Sequence, residues 1–189
     1  MARILLVSGS TRSGSTNTAL LRTAAAVAPA GIEAVLYGGM SDLPHFNPDD
    51  DVDPLPAAVA ALRSQIDAAD AVLFCTPEYA GAMPGTFKNL LDWTVGGFEM
   101  YGEPVAWVRA APSPERGRHA HESLATVLGY LHADVVAEAC VHIGVAREMV
   151  GADGIVADPA VRRRIAAVLE TLARHAATRP PWDPASAQR

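Results

Sequence analysis

Short apolar runs alternate with segments of helical periodicity along most of the chain. The runs have the length of strands, and the periodic segments repeat apolar residues at the spacings that one buried helix face requires. The pattern predicts strands at residues 4–7, 32–37, 70–75, 104–110 and 134–143. It predicts helices at residues 17–28, 57–69, 85–94, 119–131 and 159–177. Five strands that alternate with helices indicate an α/β fold with a parallel, doubly wound sheet.

The connection between the first strand and the first helix, residues 8–17, is named the first loop. It is rich in hydroxyl groups and also carries one arginine and one asparagine. Its polar residues are Ser8, Ser10, Thr11, Arg12, Ser13, Ser15, Thr16 and Asn17. Free N–H groups and the helix dipole attract an anion at a helix start, so the first loop predicts a bound phosphate. The alternative is a turn that only caps the helix.

Two nucleotide-binding motifs are nearly present in the first loop, but each lacks a required feature. Gly9 and Gly14 have the spacing of a triphosphate-binding loop, but Ser15 stands where that motif needs a lysine. The same glycines do not form the Gly-x-Gly-x-x-Gly pattern of dinucleotide sites, and no acidic residue ends the second strand. The first loop therefore favours a monophosphate.

A lone phosphate at the first loop favours the flavodoxin-like strand order 2-1-3-4-5, with helices on both faces of the five-stranded sheet. The ligand then spans the switch between strands one and three. The second loop (residues 76–84) and the third loop (residues 110–118) are expected to converge on the first loop there. The second loop contains proline and glycine, which fix a backbone against which a flat ring can lie.

Composition and charge limit the class of protein. The chain has 189 residues, half of them hydrophobic, and a net charge of −6 without a basic stripe, so nucleic acid is not an expected partner. Residues 1–178 are expected to form one domain, followed by a proline-rich tail at residues 179–189. With no signal-peptide pattern and no apolar run of about 20 residues, we expect a cytoplasmic protein without a membrane partner. Cys75 and Cys140 lie in apolar runs and are expected to be free, packed thiols.

Three other groups of residues suggest chemistry, but each fits a simpler interpretation. The aspartates of residues 49–53 are nearly contiguous and are expected to be solvated rather than to bind a metal. His119 and His121 diverge at a helix start and are expected to be exposed. Cys75 would need an arginine six positions later to form a phosphatase loop, and Gly81 stands there. No metal site is predicted.

Two motifs, in order, resemble the NADPH-dependent FMN reductase family. The first, in the first loop, is Ser10-x-Arg12-x-x-Ser15-x-Asn17. The second begins in the second loop and reads Pro77-Glu78-Tyr79-x-Gly81-x-x-Pro84-Gly85-x-x-Lys88-Asn89-x-x-Asp92-Trp93. The resemblance covers nearly the whole chain, through the fourth helix. This flavodoxin-like family also includes quinone, azo-dye and chromate reductases.

The resemblance implies an oxidoreductase with FMN as cofactor and NADPH or NADH as electron donor. It implies that the FMN phosphate is held by Ser10, Arg12, Ser15 and Asn17, with Thr16 beside them. It implies that the isoalloxazine is lined by Pro77, Glu78, Tyr79, Ala80 and Gly81, with Ser113 and Gly117 from the third loop. No catalytic side chain is needed, because hydride passes from the nicotinamide to flavin N5 and on to a flat acceptor such as a quinone. The family's assembly implies a homodimer or a homotetramer.

Two departures from the family pattern leave an alternative open. Ala80 stands where many members carry asparagine, and the third loop keeps only Gly117 of the usual glycine pair. If the altered third loop has lost the nicotinamide site, the protein is a non-catalytic electron carrier of the flavodoxin type or a flavin-sensing binding protein. Carriers usually have a stronger acidic excess and no arginine in the phosphate loop, so the reductase is the main prediction.

Overall fold

A computed structural model describes residues 1–178 of the chain, so the predicted tail lies outside the described residues. The strands are β1 (Ala2–Ser8), β2 (Ile32–Leu36), β3 (Ala71–Cys75), β4 (Pro104–Ala110), β5 (Asp134–Val135) and β6 (Val141–Ile143). They form one parallel sheet in the order β2-β1-β3-β4-β5, with β6 also paired to β4. The flavodoxin-like order predicted from the sequence is confirmed.

Helices cover both faces of this sheet. They are α1 (Thr16–Ala26), α2 (Ala57–Asp67), α3 (Gly85–Asp92), α4 (Arg118–Tyr130) and α5 (Pro159–Thr178). Successive side chains of β1 point to opposite faces, so Ile4 and Leu6 pack with α1 and α5, whereas Leu5 and Val7 pack with α2, α3 and α4. Across residues 1–178, no helix is long and apolar enough to cross a membrane.

The predicted fifth strand, residues 134–143, is divided in the structure. β5 pairs with the start of β4 and β6 pairs with its end. A 3-10 turn at Ala137–Ala139 separates them, with Glu138 exposed and Ala139 buried. A strand at the edge of a sheet pairs on one side only, so a local excursion there breaks few hydrogen bonds. The polar Glu138 reaches solvent by this excursion.

Helix α3 fixes the connection that follows β2. Asn89 accepts a hydrogen bond from the backbone N–H of Phe46 at 2.7 Å and donates one to the carbonyl of Pro44 at 2.9 Å. The indole N–H of Trp93 donates to the same Pro44 carbonyl at 2.8 Å. The Phe46 ring meets Trp93 edge to face, with centroids 5.0 Å apart. These contacts close the α2–α3 side of the core.

Arg63 of α2 is the centre of a buried polar cluster. Its guanidinium lies 2.7 Å from Asp51 and 3.3 Å from Glu99, and it donates two hydrogen bonds to the carbonyl of Trp93. The prediction that the whole acidic segment is solvated is therefore wrong for Asp51, although its other three aspartates are exposed. Asp51 turns inward because a buried guanidinium requires a paired carboxylate.

The Arg63 cluster generates a prediction about pH and stability. Burial raises the pKa of the Glu99 carboxyl above its ordinary 4.5, and the charge of Arg63 offsets only part of this effect. The folded state thus holds this proton more tightly than the unfolded chain does, so the stabilisation present below pH 4.5 is lost as the pH rises through the raised pKa. Glu99→Gln removes this ionisation. We expect the unfolding free energy of the variant, relative to the wild type, to increase as the pH rises above 4.5 and through the raised pKa of Glu99.

Urea unfolding at several pH values measures this difference. Glu138→Gln, at an exposed position, is the matched control and should show no such trend. A Glu99→Gln difference that stays constant with pH would contradict the prediction.

Candidate functional site

The first, second and third loops meet at the carboxyl ends of β1, β3 and β4 around one cavity of about 470 Å³. Nine of the predicted site residues line it: Ser10, Arg12, Ser15, Thr16, Asn17, Pro77, Glu78, Tyr79 and Gly117. The other lining residues are Thr76, Arg109, Ala110, Ala111, Pro112 and Arg116. Three predicted residues, Ala80, Gly81 and Ser113, do not belong to the lining. The cavity lies at the switch point of the sheet, where such folds bind ligands.

The start of α1 supplies hydrogen-bond donors to this cavity. The Ser15 hydroxyl caps the helix by accepting from the backbone N–H of Thr18 at 3.4 Å. That bond leaves the hydroxyl proton of Ser15 able to donate. The N–H groups of Thr16 and Asn17, in the first helical turn, have no acceptor within the helix. An anion at this position therefore meets N–H and O–H donors and the positive end of the helix dipole.

The first and second loops are in close contact at Gly9. A Cβ atom at this position would overlap the side chain of Thr76 and press on the ring of Phe87. The backbone N–H of Gly9 donates to the carbonyl of Cys75 at 2.9 Å, which continues the pairing of β1 with β3 into the loops. This close approach requires glycine at position 9. The hydrogen bond between the ends of the two strands holds the first and second loops together.

Asn17 connects the first loop to the end of β3. The residue is 6% exposed, and its side-chain carbonyl oxygen Oδ1 accepts a hydrogen bond from the thiol of Cys75 at 3.3 Å. Burial raises the pKa of Cys75 to about 12, so this residue is a thiol and not a nucleophile at neutral pH. Cys75 therefore makes a polar contact in addition to its predicted packing role.

The tip of the second loop is a two-residue hairpin turn. Tyr79 and Ala82 exchange both backbone hydrogen bonds, at 2.9 and 3.1 Å. Ala80 and Gly81 lie between them with φ angles of 50° and 74°, as the common tight hairpin turn requires. Ala80 and Gly81 are exposed and shape the second loop, whereas Pro77, Glu78 and Tyr79 line the cavity. Asparagine tolerates this left-handed conformation better than alanine does.

Glu78 joins the second loop to the third. Its carboxylate oxygen Oε2 accepts hydrogen bonds from the backbone N–H groups of His119 at 2.9 Å and Ala120 at 3.3 Å. These are free donors of the first turn of α4, and a carboxylate is stabilised there by the helix dipole. Glu78 thus fixes the relative positions of two loops that line the cavity.

His121 is buried, so the prediction that both histidines are exposed is wrong for this residue, although His119 is exposed. Its Nδ1 lies 2.6 Å from the carbonyl of Gly117 and donates to it as Nδ1–H. Burial lowers the pKa of His121, and the charge of Arg109 lowers it further. A neutral His121 therefore braces Gly117, which begins α4 in the left-handed conformation with a φ of 81°.

Across residues 1–178, no group of three or more metal-ligating side chains is present.

Arginine side chains dominate the charge of the cavity. Arg12, Arg109 and Arg116 line it, whereas Glu78 is the acidic residue among the lining side chains. Sequence reasoning left Arg109 out of the site because it lies within a predicted strand. It is the charged residue of β4 and stands next to the last residue of that strand, and this position was the available signal. Its Nε is buried without a hydrogen-bond partner among the described residues.

These features together fit FMN. The start of α1 offers the donors that a phosphate needs, and the cavity volume lies in the range of cofactor sites. Pro77 and Pro112 give two walls of restricted backbone, between which a planar ring can lie. Tyr79 is 55% exposed at the rim, so the cavity remains open to a second molecule.

Comparisons with known proteins indicate the same cofactor, FMN. The family model for NADPH-dependent FMN reductase matches residues 2–148. An NAD(P)H-dependent FMN reductase of Pseudomonas aeruginosa is 35% identical over 172 residues, which cover 90% of this chain and 92% of that protein. A quinone reductase of Escherichia coli is 32% identical over 137 residues, covering 71% of this chain and 73% of that protein.

Solved structures share the fold. The flavoenzyme NAD(P)H:(acceptor) oxidoreductase FerB from Paracoccus denitrificans aligns with a TM-score of 0.79 and 28% identity, covering 93% of this chain and 99% of that chain. The apo form of an NADH:FMN oxidoreductase aligns with a TM-score of 0.69 and 18% identity, covering 95% and 92%, and supports the fold alone. Because the family model spans most of the sequence and the Pseudomonas relative matches nearly all of it, the chain belongs to the NADPH-dependent FMN reductase family of oxidoreductases.

Proposed function

We propose that this chain binds FMN in the cavity and uses it to pass hydride from NADPH or NADH to a flat acceptor such as a quinone. One observation carries the proposal. The start of α1, which offers donors to an anion, lies at a cavity with walls of restricted backbone and an exposed rim, at the switch point of the sheet. The relatives named as FMN reductase and quinone reductase support both the donor and the acceptor class.

The phosphate end of the site is formed by the first loop. Ser10, Ser15 and Thr16 supply hydroxyl donors, and Asn17 supplies its side-chain amide. Arg12, exposed at the mouth of the cavity, supplies a charge-assisted hydrogen bond. This set holds a phosphate dianion without the lysine that triphosphate chemistry requires.

The ring end of the site is formed by the second and third loops. Pro77, Glu78 and Tyr79 provide one wall, and Gly117 contributes to the other. Ala80, Gly81 and Ser113 act indirectly, because the hairpin turn shapes the second loop and the carbonyl of Ser113 accepts from the N–H of Arg116 at 3.2 Å within the third loop. The carboxylate of Glu78 fixes the spacing between the two walls.

When bound, FMN supplies the hydride chemistry, and the chain supplies binding, orientation and charge. The two walls hold the cofactor in one orientation while the rim beside Tyr79 admits the nicotinamide and then the acceptor. Arg109 and Arg116 provide positive charge at the β4 end of the cavity, which stabilises negative charge that develops during reduction. The additional phosphate of NADPH, when this donor binds, also contacts these arginines.

A half-reaction tests the proposed function. Protein loaded with FMN is mixed without oxygen with NADPH or with NADH, and the visible absorbance of the flavin is followed. We expect rapid bleaching, and the faster donor identifies the nicotinamide preference. Free FMN mixed with each donor at the same concentrations is the control, because a rate no faster than this control is not enzymatic.

Two outcomes would contradict the proposal in different ways. If FMN binds and neither donor bleaches it, the protein is an electron carrier or a flavin-sensing protein. If the chain does not bind FMN at all, the cavity has another ligand and both functions are excluded.

Arg12 is the side chain whose removal best tests the phosphate position. Arg12→Ala should weaken FMN binding by about tenfold or more, because a hydrogen bond to a charged group contributes about 1.5–3 kcal/mol. Riboflavin, which lacks the phosphate, should bind the variant and the wild type equally well. Titration of flavin fluorescence measures both affinities. Arg163→Ala, at an exposed position of α5, is the matched control, and unchanged FMN affinity in Arg12→Ala would exclude this position for the phosphate.

We also propose that the protein is a cytoplasmic homodimer or homotetramer. Its free thiols, Cys75 and Cys140, are typical of a reducing compartment.

Val95, Phe98 and Tyr130 are 55%, 66% and 83% exposed, and they border one small hollow away from the cavity. Clustered apolar exposure of this kind is typical of a subunit contact.

Light scattering during size-exclusion chromatography tests the assembly. The expected mass is two or four times the 19.8 kDa of the chain, and Phe98→Asp should reduce it. A wild-type mass equal to one chain would exclude the assembly, whereas an unchanged mass in the variant would exclude only this surface.

A further inference from the structure

We propose that Cys75 is a positioning residue for cofactor selection: its thiol holds the side-chain amide of Asn17 with the nitrogen toward the phosphate of FMN. This inference rests on the proposed function, because it assumes that the cavity binds FMN. It adds a residue to the site that neither contacts the cavity nor belongs to the two motifs of the first and second loops.

The contact is a single hydrogen bond in a fixed place. Cys75 is the last residue of β3, is fully buried, and lies opposite Ser8 of β1 in the sheet register. Its thiol donates to Oδ1 of Asn17 at 3.3 Å, and among residues 1–178 this is the side-chain hydrogen bond that Asn17 makes. Cys75 is absent from the cavity lining, whereas Asn17 belongs to it. The thiol therefore acts on the cavity through Asn17.

The bond determines which end of the amide faces the ligand. An asparagine side chain has an acceptor oxygen on one arm and a nitrogen with two N–H donors on the other. Because the oxygen is held by the thiol, the nitrogen occupies the other arm and can donate to an anion. The reverse orientation would place the carbonyl oxygen against a phosphate, and two acceptors repel each other.

A thiol suits this position because it must donate and remain uncharged. Burial raises the pKa of Cys75 far above neutrality, so the S–H proton is retained. An aliphatic residue of similar size would fill the space without holding the amide. A serine would keep a donor, although its shorter side chain leaves a longer contact. These differences define the variants that separate packing from positioning.

The test compares the affinities of FMN and riboflavin in three full-length variants freed of flavin. Cys75→Val should raise the Kd for FMN about three- to tenfold, the value of one hydrogen bond, and leave the Kd for riboflavin unchanged. Cys75→Ser should keep most of the wild-type ratio of the two affinities. Cys140→Val is the matched control, since the Cys140 thiol donates to the carbonyl of Val136 at 3.5 Å, outside the cavity.

A second comparison shows whether the effect passes through Asn17. In an Asn17→Ala background, the additional change Cys75→Val should no longer alter the FMN affinity, because the two residues act as a unit. If Cys75→Val does not fold, Cys75→Ala removes the thiol with less change in shape and is read in the same way.

The results separate this inference from the proposed function. If the wild type does not bind FMN, the proposed function itself fails. If the wild type binds FMN but Cys75→Val keeps its preference for FMN over riboflavin, or weakens both ligands equally, Cys75 only packs and the inference is overturned. If the effect of Cys75→Val persists in the Asn17→Ala background, the thiol does not act through Asn17.

Discussion

The structure depends on the burial of β1 and β3 on both faces of the sheet. Ile4, Leu5, Leu6 and Val7 are each at most 1% exposed, and all of β3 is buried. A parallel sheet covered on both faces leaves no room for ligand chemistry along its strands. Polar groups are therefore confined to the strand ends, where the chain must turn. The position of the site follows from the same burial that stabilises the fold.

Three contacts join the loops at these strand ends. The close approach at Gly9 joins the first loop to the second, the thiol of Cys75 joins β3 to the start of α1, and Glu78 joins the second loop to α4. The Glu78 contact uses N–H groups that the first turn of α4 leaves without a partner in the helix. Through these contacts the three loops that line the cavity are held in fixed relative positions.

The periodicity of the sequence was sufficient to predict the α/β class and the five helices, because each element has one apolar face or is wholly apolar. The strand order followed from the first loop, whose polar residues suit a single phosphate. It did not predict the division of the fifth strand, since the apolar residues on both sides of Glu138 read as a continuous run. The inward turn of Asp51 depends on Arg63, which follows it in the chain by twelve positions and is not recognisable as buried. His121 was misjudged for the same reason, because its burial depends on how α4 packs over β4. Arg109 was left out of the site because it lies within a predicted strand. The local sequence determines the propensity for helix or strand, whereas these side-chain contacts form only when elements that are distant in the sequence pack together.

The arginines of the cavity have an effect beyond direct contact. The chain as a whole carries a net charge of −6, yet Arg12, Arg109 and Arg116 concentrate positive charge at one opening while the carboxylate of Glu78 is engaged by the start of α4. Such a separation of charge focuses the electric field at the opening and repels anions elsewhere. Phosphate-bearing ligands are then guided toward the cavity over distances comparable to the Debye length, about 8 Å at physiological salt. The fold thus sets the direction of approach as well as the place of binding.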